Sequence, residues 1–177
     1  MQVLPYGGTF DPDAAQAAQR AGQEKWLALV PTPAGMMALV QRGEALDALR
    51  FAPDVLPGEI VLQTPLLREG AAQLAAYFEG NLRRFELPLA PLGTPFQTLI
   101  WHTLAATVPY GQTVSYGELA RRAGKPAASR AVGMANHHNP LPIFIPCHRV
   151  IGANGALVGY GGGLPLKERL LRLEQAI

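Results

Sequence analysis

Cys147 is the only cysteine among 177 residues, and it stands in the run Ile145-Pro146-Cys147-His148-Arg149. A thiol attacks as its thiolate, and neighbouring cations lower the pKa that governs its formation. A histidine beside it can also serve as its base. The soft nucleophile of the chain is therefore expected in a cationic setting with a depressed pKa. Considered alone, a cysteine after the apolar run Leu141 to Ile145 is more often a packing residue. Adjacency to His148 does not decide the matter, since neighbouring side chains on an extended strand point to opposite faces. The two can cooperate where the chain turns, or where His148 acts through a water or a third group. Pro146 is consistent with a turn, because it fixes its own φ and restricts Ile145.

The elements that must position these residues fall into two halves. In the first, Lys25 to Val30, Met36 to Val40 and Ala45 to Phe51 read as strands joined by Pro31-Thr32-Pro33-Ala34-Gly35 and Arg42-Gly43-Glu44, an antiparallel meander. Leu66 to Phe78 has helical spacing and ends at Gly80. Phe85 to Leu89 suggests another strand, and 90–93 a linker. Residues 1–24 match no clear pattern, although Asp13 to Lys25 is compatible with a helix.

The second half reads as mostly helical. Thr94-Pro95 supplies an N-cap and a first-turn proline for a helix reaching Val108. Ser115, with Glu118 at the capping-box position, starts a second helix that ends at Gly124. A third runs from Ala127 to about His137, and Lys167 to Glu174 closes the chain. Two short helices joined by a glycine-containing turn suggest a helix-turn-helix, although most such pairs merely pack together.

Composition narrows the possibilities. Hydrophobic residues make up 49% and charged residues 16% of the chain, which suits a buried core. No apolar run approaches the roughly 18 residues that span a bilayer, and Met1 to Phe10 lacks the pattern of a signal peptide. One cysteine excludes an internal disulfide, and a reactive thiol favours a reducing compartment, so a cytoplasmic location is expected. No Cys/His cluster has metal-ligand spacing. Net charge is +2 but uneven: residues 1–91 hold 7 Lys/Arg against 10 Asp/Glu (−3), whereas residues 92–177 hold 8 against 3 (+5), with all four histidines. A basic second half suits a phosphate-facing surface, although an ordinary solvated face has the same composition.

The stretch from Asn139 through Pro146-Cys147-His148-Arg149-Val150 closely resembles the active-site signature of the DNA repair alkyltransferases, the methylated-DNA–protein-cysteine methyltransferases. The likeness extends over roughly half the chain, through Gly93 to Phe96, Pro109 to Ala120, Ser129 to Gly133, Gly162-Gly163-Leu164, Lys167-Glu168 and Glu174.

The resemblance implies an α+β protein. Residues 1–91 would form a small antiparallel sheet with a helix, a ribonuclease H-like structural domain. Residues 92–177 would form a mainly helical DNA-binding and catalytic domain with a winged helix-turn-helix. The implied reaction is transfer of an alkyl group from O6-alkylguanine in double-stranded DNA to Cys147, once per molecule. His148 would take the thiol proton, Glu174 would orient His148, and Asn139 would hold the turn before Cys147. The third helix, with small residues Ala128, Ala131 and Gly133 around Arg130, would enter the minor groove. Arg130 would fill the stack when the base flips out, and Tyr116 would contact that base. The glycine-rich loop Gly155 to Gly163, with Tyr160 and Gly161, would wall the alkyl pocket, and Val150 would be a further substrate- or DNA-binding residue. The family often has serine where this chain has Gly161, which suggests a wider pocket. No cofactor and no metal are implied, and the protein would act as a monomer away from membranes.

Three other readings compete. A lesion-binding relative without a nucleophile is disfavoured by Cys147. A helix-turn-helix regulator would need no thiol. A Cys–His hydrolase would turn over repeatedly.

Overall fold

A computed structural model describes residues 2–3, 9–10, 24–51, 53 and 55–177. The chain divides into two compact units, Met1–Leu92 and Gly93–Ile177.

In the first unit the meander consists of β3 (Lys25–Thr32), β4 (Gly35–Arg42) and β5 (Ala45–Phe51), after the short strands β1 (Gln2–Val3) and β2 (Thr9–Phe10). The pairing is antiparallel, with Leu27 opposite Val40 and Val40 opposite Ala48. Helix α1 (Pro65–Phe78) begins at Thr64, whose hydroxyl accepts from the Leu67 N–H at 3.1 Å. Gly70 lets this helix lie close to the sheet: a Cβ there would stand 3.0 Å from Leu39 Cδ1. Leu39, Leu46, Leu67 and Leu74 are fully buried as a result. Burying each such side chain contributes about 1.5–3 kcal/mol.

The expectation of a purely antiparallel sheet needs correction. The seven-stranded order is β1-β2-β7-β5-β4-β3-β6, with β6 (Glu59–Val61) and β7 (Pro88–Leu89) added. β6 runs parallel to β3, and β7 runs parallel to both β2 and β5. These flanking strands come from distant segments, so local hairpin signals do not reveal their direction. The strand expected from Phe85 shrinks to two residues. Phe85 packs against Tyr77 instead, with centroids 5.3 Å apart, and the Glu86 N–H donates to Gln73 Oε1 at 2.8 Å. The helix suggested over 13–25 lies mostly outside the described residues, and Lys25 opens β3.

The second unit holds α2 (Pro95–Thr107), β8 (Val114–Ser115), α3 (Tyr116–Arg122), α4 (Ser129–His137), a 3-10 turn (Cys147–Arg149), β9 (Val150–Ile151) and α5 (Leu164–Leu173). Thr94 and Gln97 form a reciprocal capping box on α2. On α3 only half of the expected box is present. Ser115 accepts from the Glu118 N–H, but the Glu118 carboxylate turns to Arg121 and Arg122. Gly124, at φ +69°, ends that helix, and the Lys125 N–H returns to the Ala120 carbonyl at 2.8 Å. The next four residues turn, so α4 starts two residues later than expected. α5 starts three residues earlier, with Pro165 in its first turn, and Glu174 becomes its C-cap. β8 and β9 pair in parallel, Val114 opposite Val150. This is not the antiparallel hairpin of a wing. No helix of the described residues is long and apolar enough to cross a membrane.

Candidate active site

The chain turns tightly before Cys147. Asn139 Oδ1 accepts from the Leu141 N–H at 3.0 Å, and its Nδ2 donates to the Ile145 carbonyl at 2.9 Å. Between them Ile143 is held at φ +75°. A β-branched residue there costs on the order of 1–3 kcal/mol and persists only where its surroundings fix it. Asn139 therefore ties both ends of a strained loop, and the same Nδ2 donates to Cys147 Sγ at 3.1 Å. Pro146 leads into the 3-10 turn, which releases Cys147 and His148 from the opposite-face rule of a strand.

Behind the thiol lies a closed polar network. Glu174, almost fully buried, takes His148 Nε2 at 2.9 Å, Arg149 Nε at 2.8 Å and Arg149 Nη2 at 2.9 Å on its two oxygens. Arg149 Nη1 donates to the Val108 carbonyl at 2.8 Å. Burial opposes the charge on Glu174, but the bonds and charges of His148 and Arg149 win and hold the carboxyl well below its usual range. Burial pushes the His148 pKa down, against the pull of Glu174. The imidazole is thus neutral near pH 7. Its Nε2–H faces the carboxylate, so Nδ1 carries the lone pair. Nδ1 is buried and has no hydrogen-bond partner among the described residues. The group has the protonation state of a base.

The thiol itself overturns the expectation of a depressed pKa. Burial pushes Cys147 up to about 11, and the bond from Asn139 and the charge of Lys167 offset only part of that shift. Desolvation is the largest contribution, and the charge of the neighbouring Arg149 is paired with Glu174. Cys147 in the free protein is a protected thiol. A small iodoacetamide-type reagent should label it with a rate still climbing toward pH 11, whereas a simple thiol levels off above about 8.5. A labelling profile centred at or below that of a simple thiol would contradict the burial argument.

A cleft of about 50 Å³ opens over the thiol, lined by Tyr116, Gly133, Asn136, His137, Cys147 and the loop Gly159-Tyr160-Gly161. Five residues singled out from the sequence meet here: Tyr116, Gly133, Cys147, Tyr160 and Gly161. The Tyr116 hydroxyl donates to the Val158 carbonyl at 3.2 Å. A Cβ at Gly161 would meet nothing within 4 Å, so the missing side chain leaves open space. Arg130 and Ala131 are exposed on α4, and Ala128 is half-buried at its start. Val150 does not line the cleft. It is buried in β9, and its carbonyl accepts from Lys167 Nζ at 2.6 Å. Among the described residues no group of three or more His, Cys, Asp or Glu side chains could hold a metal ion.

Two cleft-associated residues were given no site role from the sequence. Lys167 is fully buried, and its Nζ also donates to the Val158 carbonyl at 2.8 Å, tying the cleft loop to β9. Burial brings its pKa down to about 8. The signal was present in its spacing, since Lys167, Leu170, Leu171 and Glu174 share one buried face of α5. Asn136 was likewise legible as a polar residue on the buried face that carries Val132 and Ala135.

Residues 95–176 match the family described as 6-O-methylguanine DNA methyltransferase, DNA binding domain. A relative from Methanosarcina acetivorans named methylated-DNA–protein-cysteine methyltransferase is 46% identical over 153 residues, which cover 84% of this chain and 97% of the relative. The chain belongs to the methylated-DNA–protein-cysteine methyltransferase family. A family member of the same name from Mycobacterium tuberculosis H37Rv is 45% identical over 150 residues, 83% of this chain and 90% of that one. A crystal structure of the M. tuberculosis OGT in complex with DNA is similar to this methyltransferase-family chain with a TM-score of 0.79 at 43% identity, covering 85% and 92% of the two chains.

Proposed function

We propose that the protein is a DNA repair alkyltransferase that extrudes an O6-alkylated guanine from the duplex and moves the alkyl group irreversibly to Cys147. The observation that carries this reading is the buried Cys147 thiol at the floor of a cleft, backed by neutral His148 and the Glu174–Arg149 pair. A thiol so enclosed reaches an O6 substituent only if the base leaves the stack.

His148 accepts the thiol proton through an intervening water. Sγ attacks the alkyl carbon, an S–C bond forms, and the C–O6 bond breaks. The bonding electrons leave with guanine, which takes up a proton. The product is a thioether that water does not cleave, so each molecule acts once. Asn139 donates to the sulfur and steadies the developing thiolate. Glu174 holds the His148 ring and stabilises its imidazolium, following the logic of a triad. Tyr116 would exchange the Val158 carbonyl for a ring nitrogen of the departing base.

In this reading α3 and α4 act as a helix-turn-helix laid in the minor groove, with Ala128, Ala131 and Gly133 permitting close approach. Arg130, exposed on α4, fills the gap left by the base. The second unit binds DNA and reacts, and residues 1–91 serve as a ribonuclease H-like scaffold. A reducing compartment such as the cytoplasm keeps the thiol competent.

With lesion DNA in excess, demethylation should stop at one methyl per protein molecule, and continued turnover would favour the hydrolase-like alternative. Arg130→Ala should slow transfer from duplex DNA by about 10-fold or more, the scale of a few kcal/mol of unstacking. It should leave transfer from the free base O6-benzylguanine within about twofold. Equal losses on both substrates would remove Arg130 from base extrusion.

A further inference from the structure

α4 ends at the cleft, and three of its residues line the cleft at helical spacing: Gly133, Asn136 and His137. That end of the helix is fixed by buried Trp101, whose indole N–H donates to the Ala135 carbonyl at 2.8 Å. Asn136 is more than nine-tenths buried, yet neither its Nδ2 nor its Oδ1 has a hydrogen-bond partner among the described residues. A buried amide left open at both ends is costly, and a native fold that keeps one needs a reason. Here the desolvation is already complete before any ligand arrives. A site with such groups rejects ligands that fail to pair them, because the unpaired polar atoms then stay buried.

We propose that Asn136 is a specificity-determining contact that pairs its amide with the extruded base, taking a hydrogen on Oδ1 and giving one from Nδ2. The inference rests on base extrusion as set out under Proposed function. It selects a base edge with a donor next to an acceptor. O6-alkylguanine has such an edge, its 2-amino group flanked by ring nitrogens with free lone pairs. O4-alkylthymine offers acceptors only. Asn136 therefore favours the purine lesion over the pyrimidine lesion.

The test compares single-turnover methyl transfer from one duplex carrying O6-methylguanine, O6-methylhypoxanthine (which lacks the 2-amino group) or O4-methylthymine. Wild type should be slower by about tenfold or more without the 2-amino group, the scale of one hydrogen bond to a buried polar group. Asn136→Leu should bring that ratio below about threefold and narrow the gap to O4-methylthymine. Asn136→Met, whose unbranched side chain adapts to irregular space, repeats the comparison if the leucine variant does not fold. Equal wild-type rates on the guanine and hypoxanthine lesions would overturn the proposal regardless of the variants. So would an unchanged ratio in a folded variant, as expected if only a buried water meets the amide. No transfer by wild type from any of the three duplexes would instead refute alkyl transfer, and this inference with it.

Discussion

Cys147→Ala should abolish methyl transfer and still bind the lesion-bearing duplex with affinity within about threefold of wild type. The substitution removes the only thiol of the chain, while the residues assigned to DNA contact, Arg130, Ala131 and Tyr116, lie on other elements. Removing a small side chain from the floor of the cleft leaves phosphate contacts intact, and those dominate affinity for DNA. Binding should keep its salt dependence for the same reason. A gel-shift titration beside a transfer assay separates the two properties. Residual transfer would require another acceptor, and loss of binding would mean that the cleft and the DNA surface are coupled.

Glu174→Gln should have the second largest effect, on stability and on rate together. Four donors converge on this carboxylate: His148, both donating arms of Arg149, and the Gly111 N–H at 3.4 Å. Loss of the charge leaves the Arg149 guanidinium buried without a counterion, at a cost of about 3–5 kcal/mol. For a unit of this size the melting temperature should fall by more than about 10 °C. The folded carboxyl titrates below its unfolded value of about 4.3, so its contribution is complete above that pH and is lost as pH falls. His148, held neutral by burial, adds a loss in the same direction once pH drops below about 6.5, where the unfolded imidazole binds a proton. The wild type should therefore have a steep acid limb, and Glu174→Gln a flatter one from a lower plateau. Transfer should slow by roughly 100-fold, the usual scale for weakening a general base. Urea unfolding from pH 4 to 8 would check the first part. Parallel acid limbs would show that the Glu174 charge is not what the network stabilises.

Much of this arrangement was legible in the sequence, for identifiable reasons. The meander follows from alternation and turn residues, and the starts of α2 and α3 follow from Thr94-Pro95 and Ser115. Pro146 indicated the turn that frees Cys147 from strand geometry. The direction of the flanking strands was not legible, because two- and three-residue strands take their partners from far along the chain. Nor was the state of the thiol. Cationic neighbours are visible in a sequence, but desolvation is a property of the packed molecule, and at Cys147 it prevails. Arg149 stands two residues from Cys147 in the sequence, yet its charge is committed to Glu174. Glu174 itself reads locally as a helix-end charge, and only its resemblance to the family singled it out. Lys167 and Asn136 sit at buried helical positions that pattern reading fills with apolar side chains, so their spacing marks them as exceptions without assigning them a role in the site.

The central claim is that Cys147 itself takes the alkyl group. The direct measurement is peptide mass spectrometry of the wild-type protein after incubation with a duplex containing O6-methylguanine. The account predicts one added methyl group, located by fragmentation on Cys147, in step with the appearance of unmodified guanine in the DNA. Guanine restored while the Cys147 peptide stays unmodified, or a methyl group found on another residue, would contradict it.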